Sequence, residues 1–328
     1  MQVLGICAGN GVILHPFKKY LIGNIEPRGI YHTAKEEQWK ANFGNIPLWK
    51  DESYENSYLE PDIIIGNPDC GHSSILALSR AKKFSDPKDN PSLTLFLKLV
   101  GYYNPSIFLM ENLPKLLEQY PREELRDLFP NHHILFHTKS VWAWGNSQKN
   151  RKRLVMVGIK KKMKGMRKYL RNVYTVAEHK TCGELLKNLP QNGNVREPLT
   201  DLITLYAGFK VNLKAIKELW DFNPREKRWK VYNRKFDTAP GVYKNLFNDY
   251  PATARKANRQ FNHESLQMTP RELARIQGIP DHFVIYINQD NIKYWINKGR
   301  TTVTKTPPYE ISLWFYKQVL KIFRHGNK

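Results

Sequence analysis

Short apolar runs alternate with longer amphipathic stretches through the first half of the 328-residue chain. This alternation predicts an α/β fold in which a mostly parallel sheet carries helices on both faces. Ligands of such doubly wound sheets bind at the carboxyl ends of the strands, so the residues that follow each strand are the first candidates for a functional site. The expected strands are Val3–Cys7, Tyr20–Ile25, Asp62–Ile65, Ile107–Met110, His133–His137 and Leu154–Ile159.

The periodic pattern weakens between residues 190 and 250, where Asn, Gly and Pro mix with basic and aromatic residues. We therefore predict a main domain formed by residues 1–189 and 251–328, with a small irregular domain of residues 190–250 inserted into it. Beyond the insertion, the segment Thr269–Glu272 is typical of a capped helix start with proline at the first helical position. Residues Ile311–Phe323 predict a final amphipathic helix.

The balance of charge indicates the class of partner. The 52 Lys and Arg residues against 30 Asp and Glu give a net charge of +22, which favours a polyanion such as nucleic acid. Basic residues are densest at 149–153, 160–168 and 225–235, and the last stretch also holds Trp229 and Tyr232, which can stack on bases. Each cluster alone is more typical of a solvated basic surface, so only the total makes nucleic acid the favoured partner.

Signals for a membrane or for secretion are missing from the sequence. No apolar run approaches the roughly 20 residues that a membrane-spanning helix needs. The first residues also lack the basic and apolar stretches of a signal peptide. We therefore expect a cytoplasmic protein that does not contact a membrane.

Three cysteines, Cys7, Cys70 and Cys182, stand at wide spacings without a Cys-x-x-Cys pair. We therefore expect neither a disulfide framework nor a metal site. A lone cysteine is usually a buried apolar residue. Cys70, however, stands in the polar loop Gly66–Ser74 directly after an expected strand, so its thiol is expected to be exposed in a cleft.

Two further kinds of group are expected at the same edge of the sheet. Glu111 ends a later strand, and Arg151 and Arg153 precede the last strand of this half. Because these strand ends share one edge of the predicted sheet, a carboxylate and a pair of alternating arginines can meet the thiol of Cys70 there.

A glycine-containing turn, Gly5–Gly11, follows the first expected strand, and Glu26 follows the second. Such turns let backbone approach a nucleotide-like ligand, and the acid accepts hydrogen bonds from ribose hydroxyls. A dinucleotide fingerprint would need a third glycine where Leu14 stands, which counts against a dinucleotide. A plain tight turn beside a surface glutamate is the alternative interpretation.

Taken in order, these motifs resemble the cytosine-5 DNA methyltransferase family over most of the chain. Cys7–Gly11 resembles the nucleotide turn of the family, and Gly66–Gly71 resembles its nucleophile loop Gly-Gly-Pro-Pro-Cys-Gln. Glu111–Leu113 resembles its Glu-Asn-Val motif, and Lys149–Arg153 resembles its Gln-x-Arg-x-Arg motif. The most specific match is Arg271–Asp281, which resembles the late helix and turn of the family.

The resemblance implies a Rossmann-like methyltransferase that uses S-adenosylmethionine and acts as a monomer on double-stranded DNA, with residues 190–250 as its target-recognition domain. The thiol of Cys70 would add to carbon 6 of a flipped-out cytosine, and carbon 5 would receive the methyl group. Glu111 would bind ring nitrogen 3, and Arg153, together with Arg151, would bind the carbonyl oxygen. The basic loop Gly71–Asn90 would close over the base.

The resemblance also implies a set of cofactor-binding residues. Glu26 would bind the ribose and Asp51 the adenine, while the turn would lie beneath the cofactor. The full set is Cys7, Ala8, Gly9, Asn10, Gly11, Glu26, Pro27, Asp51, Pro68, Leu95 and Lys305.

Several positions depart from the pattern of the family. Asp69 stands in place of a proline, Gly71 in place of glutamine and Cys7 in place of phenylalanine, and the last motif is reduced to Thr304–Pro308. A carboxylate at position 69 is expected to raise the pKa of the Cys70 thiol unless an arginine offsets it. These departures indicate a divergent branch from a phage or mobile element, acting in a prokaryotic cell or an infected host. Three roles are compatible with the sequence: evasion of host restriction, partnership with a restriction enzyme, or a first step toward a more heavily modified base.

Two alternatives remain open at the level of sequence. One is a tRNA cytosine-5 methyltransferase of the same family, because strong positive charge suits RNA as well as DNA. The other is a nucleic-acid-binding homologue that has lost catalysis, for which Asp69 and the reduced last motif are the argument.

Overall fold

The chain divides into two compact units. The first consists of Met1–Trp144, Lys152–Val176 and Tyr309–Lys328, and the second of Gly145–Arg151 and Ala177–Pro308. The computed structural model describes residues 1–27, 33–50, 59–70, 90–148, 151–175, 178–187, 243–244, 251, 260–261, 270–285 and 303–326. The predicted insertion at 190–250 lies outside the described residues except for 243–244, so its boundaries stay a prediction.

A seven-stranded sheet forms the centre of the first unit. Its strands are β1 Val3–Ile6, β2 Leu21–Glu26, β3 Leu48–Lys50, β4 Ile63–Gly66, β5 Ile107–Asn112, β6 His132–Ser140 and β7 Lys152–Lys160. They lie in the order β3-β2-β1-β4-β5-β7-β6. The first five strands are parallel, whereas β7 runs antiparallel to both β5 and β6.

The apolar runs locate six of these strands, because a central strand buried on both faces has little polar sequence. Every residue of β1, β4 and β5 is buried. Strand β3 was missed, since its three residues are only partly buried or exposed and form no apolar run. The two-stranded parallel pair β8 Tyr243–Lys244 and β9 Gln260–Phe261 belongs to the second unit.

Eight α-helices lie within the described residues. They are α1 Thr33–Phe43, α2 Pro91–Tyr103, α3 Leu116–Gln119, α4 Arg122–Asp127, α5 Lys168–Arg171, α6 Cys182–Leu186, α7 Pro270–Ile276 and α8 Tyr309–Gly326. Three 3₁₀ segments cover Val12–Tyr20, Val141–Trp144 and Lys161–Arg167. Among the described helices, none combines the length and hydropathy that crossing a membrane requires.

Alternate residues of the central strands enter two opposite apolar layers, as the two-residue period of a strand requires. Ile63 and Ile65 of β4 pack in the layer that contains α8, whereas Ile64 packs in the layer that contains α2. The predicted final helix is confirmed and is somewhat longer than expected. Its buried residues include Ile311, Ser312, Trp314, Phe315, Val319 and Ile322.

The helices of the second unit begin with recognisable caps. Thr181 and Glu184 form a reciprocal capping box at the start of α6. Pro270 is the first residue of α7, as the sequence predicts, while Thr269 lies outside the described residues.

The Arg275 guanidinium holds Asp281 through two hydrogen bonds of 3.0 and 2.6 Å, which lowers the pKa of that carboxyl group.

Candidate active site

The predicted nucleophile stands in the loop that follows β4. Cys70 is partly exposed, whereas Cys7 and Cys182 are buried. In the same loop Pro68 is buried and Asp69 is exposed. The loop is tied to the neighbouring strand β5, because Asn112 Nδ2 donates to the carbonyl oxygen of Pro68 at 3.2 Å. Cys70 is thus accessible at the carboxyl edge of the parallel strands, as expected for a reactive thiol.

The predicted acid lies at the same edge. Glu111 is near the end of β5 and only 2% of its surface is exposed. Asn67 Nδ2 donates to the Glu111 carbonyl oxygen at 3.2 Å and also to its Oε2. The register pairs Gly66 with Met110, so the first residue after β4 reaches Glu111 directly. The sheet therefore places the nucleophile loop against the acid.

Arg153 completes this group from the other side of β5. Its Nε lies 2.8 Å from Oε1 of Glu111, and its side chain is 15% exposed. Strand β7 pairs Leu154 with Asn112, which brings the amino end of β7 to the carboxyl end of β5. A buried carboxylate is stable when a guanidinium pairs with it in this way. The first unit thus brings Cys70, Glu111 and Arg153 to one edge.

The contacts of Arg151 lie elsewhere. This residue belongs to the second unit and is 1% exposed. Its Nη2 donates to the carbonyl oxygen of Thr306 at 2.8 Å, and its Nη1 donates to Gln148 Oε1 at 3.2 Å. Gln148 Nε2 in turn donates to Gln277 Oε1 at 3.1 Å. These contacts support packing of the second unit, and the expected contact of Arg151 with the base stays a prediction.

The glycine turn after β1 adopts left-handed backbone at two glycines. Gly9 has φ of 63° and Gly11 has φ of 80°. A Cβ at Gly11 would overlap the ring of Phe43, so this glycine permits close packing against α1. A Cβ at Gly9 would have no neighbouring atom within 4 Å, which means that the turn borders open space there. The turn is therefore packed on one side and open on the other.

Glu26 closes this turn at the end of β2. The N–H of Gly9 donates to Glu26 Oε1 at 2.6 Å, and Asn24 Nδ2 donates to the same oxygen at 2.9 Å. The carboxylate is only 2% exposed. The N–H of Ala8 lies 3.4 Å from Asn24 Oδ1, so Asn24 links the turn to β2 a second time. The alternative of a surface glutamate is wrong, since Glu26 is a buried part of the turn.

The remaining cofactor candidates divide between the two units. Cys7 and Leu95 lie in one apolar cluster, and Pro27 and Pro68 are also buried. Asn10 accepts a hydrogen bond from the N–H of Val12 at 3.3 Å. Lys305 is exposed and belongs to the second unit, and Asp51 lies outside the described residues.

Four polar residues of this edge escape the sequence-based prediction, namely Asn24, Asn67, Asn90 and Ser92. Each makes a hydrogen bond to a residue at least 16 positions away, for which a single sequence holds no local signal. Their place beside predicted residues is the one available clue, because Asn24 precedes Glu26 and Asn67 precedes Cys70 by only a few positions.

The profile of the C-5 cytosine-specific DNA methylase family matches residues 1–296. The chain belongs to this family. The methylase is 28% identical over 295 residues to a Methanocaldococcus jannaschii protein that is named as a type II methyltransferase. That match covers 82% of this chain and 83% of the relative. The predicted family is therefore confirmed.

Solved structures confirm the Rossmann-like fold. A protein named as a DNA modification methyltransferase, encoded within a prophage of E. coli, is 17% identical with a TM-score of 0.69, over 99% of both chains. The S. pombe Dnmt2 methyltransferase is 11% identical with a TM-score of 0.63, over 100% of both chains. The Entamoeba histolytica methyltransferase EhMeth is 13% identical with a TM-score of 0.63, over 100% of this chain and 99% of that one.

Membership of the family establishes the general chemistry. The methylase transfers a methyl group to nucleic acid and depends on S-adenosylmethionine. The turn after β1 suits this cofactor, because it borders open space at Gly9 and the carboxylate of Glu26 binds the backbone of that residue. The predicted cofactor is thus confirmed, while the residues that hold it are the subject of a proposal.

Proposed function

We propose that this protein methylates carbon 5 of cytosine in double-stranded DNA through a covalent adduct of Cys70. The observation that carries the proposal is that three groups lie at one edge of the sheet: the partly exposed Cys70, the Glu111 carboxylate and the Arg153 guanidinium. Asn67, in the same loop as Cys70, binds Glu111 and so links this loop to the ion pair. The net charge of +22 suits a nucleic-acid substrate. The family description and the name of the E. coli prophage protein favour DNA over RNA.

The reaction needs a nucleophile because carbon 5 of cytosine is itself too weak to attack a methyl group. The thiolate of Cys70 forms a bond to carbon 6, and the electron pair of the ring double bond moves to carbon 5. S-adenosylmethionine, when bound, would supply an electrophilic methyl group: as carbon 5 bonds to it, its bond to the sulfonium sulfur would break and the neutral thioether would leave. The proton on carbon 5 then leaves to solvent, and the bond between Sγ and carbon 6 breaks to release the thiolate.

Glu111 and Arg153 act on the charge that this addition creates in the ring. Glu111 binds ring nitrogen 3, and the guanidinium of Arg153 binds the carbonyl oxygen, so both groups stabilise the adduct more than the free base. The ion pair of 2.8 Å fixes the two side chains relative to each other before they meet the ring. Arg151 is a second candidate for the carbonyl oxygen.

The turn of the first unit would hold the cofactor. The backbone of Cys7–Gly11 would border it, and Glu26 would accept hydrogen bonds from its ribose hydroxyls. Asp51 would bind the adenine, and Pro27, Pro68, Leu95 and Lys305 would supply the remaining contacts.

The substrate is a base that has left the duplex, since carbon 6 is inaccessible within stacked DNA. Residues 190–250 form the target-recognition domain that reads the flanking sequence, and the methylase acts as a monomer. A phage or mobile-element origin, with a role in restriction and modification, is consistent with the name of the prophage protein.

Methyl transfer from radiolabelled S-adenosylmethionine tests the substrate class. The assay is run on duplex DNA and on tRNA, and uptake on duplex DNA alone or in large excess is expected. Uptake on tRNA alone would contradict the DNA assignment, and uptake on neither would support a binding protein without catalysis.

Trapping on duplex DNA that contains 5-fluorocytosine tests the covalent step. Fluorine at carbon 5 prevents loss of that substituent, so wild-type protein should form a complex that survives denaturing electrophoresis. Cys70→Ser should bind the duplex and form no such complex, whereas Cys182→Ala, a matched loss of a buried thiol in the second unit, should behave as wild type. Full methyl transfer by Cys70→Ser would overturn the mechanism.

A further inference from the structure

Two side chains at the start of α2 bind the backbone of Asp69, the residue before the proposed nucleophile. The N–H of Asp69 donates to Ser92 Oγ at 2.8 Å. Asn90 Nδ2 donates to the carbonyl oxygen of Asp69 at 2.8 Å. That carbonyl belongs to the peptide group that joins Asp69 to Cys70. Both polar backbone atoms of the preceding residue are therefore held by α2.

The Asn90 side chain is also the amino-terminal cap of α2, and the Ser92 hydroxyl group binds to it. Asn90 Oδ1 accepts from the N–H of Ser92 at 3.2 Å, from the N–H of Leu93 at 3.3 Å and from Ser92 Oγ at 2.8 Å. Because Asn90 Oδ1 accepts from the backbone N–H groups of the helix, the Nδ2 of the same amide group points toward the Asp69 carbonyl oxygen. The Ser92 hydroxyl donates to Asn90, so its lone pair accepts from Asp69. The donor and acceptor role of each of these polar atoms is therefore fixed by its partners.

Burial makes these bonds hard to replace with water. Asn90 is 5% exposed and Ser92 is 1% exposed. Water cannot replace the partner of a buried polar group, so breaking one of these hydrogen bonds is costly. The positions of Asn90, Ser92 and the Asp69 backbone are therefore well defined. The Sγ of Cys7, in the cofactor turn, also donates to the Ser92 carbonyl oxygen at 3.3 Å. Ser92 therefore lies between that turn and the nucleophile loop.

The loop is held from both sides as it approaches Cys70. On the β5 side, Asn67 binds Glu111, and the Pro68 carbonyl accepts from Asn112. On the α2 side, Ser92 and Asn90 bind the N–H and the carbonyl oxygen of Asp69. Every residue from 67 to 69 is thus anchored to a neighbouring element. Asp69 also supplies an N–H that a proline at this position would lack, and Ser92 accepts it.

We propose that Asn90 and Ser92 are positioning residues that set the direction from which the Cys70 thiol attacks carbon 6. The proposal rests on the covalent role of Cys70 given above. Displacement of a reacting atom by about 1 Å can lower a rate by roughly 100-fold. The cap of α2 therefore controls the rate of adduct formation without touching the base.

Asn90→Asp separates the two roles of this residue. Aspartate keeps the oxygen that caps α2, and it is as good a cap as asparagine. It loses the Nδ2 donor that holds Asp69. We expect adduct formation with 5-fluorocytosine DNA to slow by about 10- to 100-fold. The melting temperature should fall, because a carboxylate is buried and the Asp69 carbonyl oxygen loses its donor, so the rates are compared per folded molecule below the unfolding transition. The KM values for cofactor and DNA should stay close to wild type, so that the loss falls on kcat.

Ser92 provides an uncharged second test. Ser92→Ala removes the acceptor for the Asp69 N–H and should slow trapping, and Ser92→Thr, which keeps a hydroxyl group, should restore most of the rate. Tyr102→Phe is the control, because it removes a hydroxyl group from an exposed position of the same helix. Alkylation of Cys70 by iodoacetamide needs no fixed direction of attack, so its pH profile should change little in Ser92→Ala.

The outcomes separate this proposal from the one on which it rests. If wild-type protein forms no trapped complex, the covalent role of Cys70 fails irrespective of α2. If wild type forms it and Asn90→Asp and Ser92→Ala form it equally fast, the positioning role is overturned. A raised KM for the cofactor with unchanged kcat would also overturn it, since the cap would then serve the cofactor turn.

Discussion

Arg153 Nε lies 2.8 Å from Glu111 Oε1, and this ion pair joins the amino end of β7 to the carboxyl end of β5. The pair forms because β5 and β7 are antiparallel neighbours, so Glu111 near the carboxyl end of β5 meets Arg153 near the amino end of β7. Glu111 is almost fully buried, and a carboxylate in that position needs a cationic partner to offset its desolvation. The pair is therefore a structural requirement as well as a candidate catalytic one.

The ion pair should show strong energetic coupling. Arg153→Met leaves the Glu111 carboxylate buried without its cation and should lower the free energy of unfolding by about 2–4 kcal/mol. Glu111→Gln together with Arg153→Met should cost less than the sum of the single changes, because no charge is then left buried. Urea unfolding of the four proteins measures this. Lys152→Met, at the exposed neighbouring position, is the control, and purely additive losses would contradict the coupling.

Arg151 should act chiefly on stability. Its guanidinium donates to the Thr306 carbonyl oxygen and to Gln148 in the second unit. Arg151→Met removes two hydrogen bonds from a buried place and should cost about 1–3 kcal/mol. Urea unfolding and kcat per folded molecule are measured together. A fall in kcat of about tenfold or more at unchanged stability would instead assign Arg151 to the reaction.

The catalytic edge was predictable where chemistry follows periodic structure. The apolar runs predict the sheet, Cys70 follows β4, and Glu111 lies near the end of the neighbouring parallel strand β5. Arg151 and Arg153 look equivalent in the sequence because they alternate, yet β7 begins only at Lys152 and the two arginines bind different groups. Strand alternation therefore does not extend to Arg151.

The contacts made by side chains across the fold were not predictable. Asn90 and Ser92 bind Asp69 only because α2 packs its amino end beside the loop after β4. No periodicity or turn chemistry near residue 69 encodes that meeting. The same holds for Asn67 and Glu111, whose contact depends on the register between β4 and β5.

Two glycines of the cofactor turn should respond differently to alanine. Gly9→Ala meets open space, so its cost is the left-handed backbone, about 1–2 kcal/mol, together with a methyl group placed beside the cofactor. It should weaken S-adenosylmethionine binding by about tenfold or more. Gly11→Ala also overlaps Phe43 and should chiefly lower the melting temperature. Calorimetric titration and thermal unfolding separate the two, and equal cofactor affinity in Gly9→Ala would argue against the proposed site.

The charge of Asp69 should modulate the reactivity of Cys70. A carboxylate beside a thiol opposes formation of the thiolate, so Asp69→Asn should move the pH profile of Cys70 alkylation to lower pH. Asp69 is exposed and solvent screens it, so the shift should be only a few tenths of a pH unit. Asp127→Asn, in α4, is the control. A shift to higher pH would show that the carboxylate acts by a route other than its charge.

Acid should destabilise the first unit through His137. This residue is buried, and its Nε2 lies 2.9 Å from the Leu170 carbonyl oxygen, which only accepts, so the neutral ring donates from Nε2. Burial lowers the pKa of His137 below its ordinary value of 6.5, and the charge of Lys139 lowers it further, although the bond to Leu170 opposes both. The native state therefore resists protonation.

The direction of the pH effect follows from proton binding. As the pH falls below about 6.5, the unfolded chain binds a proton at His137 more readily than the native chain does, so the free energy of unfolding falls. Above that pH both states are neutral and the effect vanishes. His137→Gln can still donate to Leu170 but does not titrate, so urea unfolding between pH 7.5 and about pH 5 should show a weaker fall than in wild type. Some loss of unfolding free energy at low pH should persist in His137→Gln, because burial also lowers the pKa of His132.

His133→Gln, at a half-buried position of the same strand, is the control. If the free energy of unfolding of His137→Gln depends on pH as steeply as that of wild type, His137 is not the group that titrates.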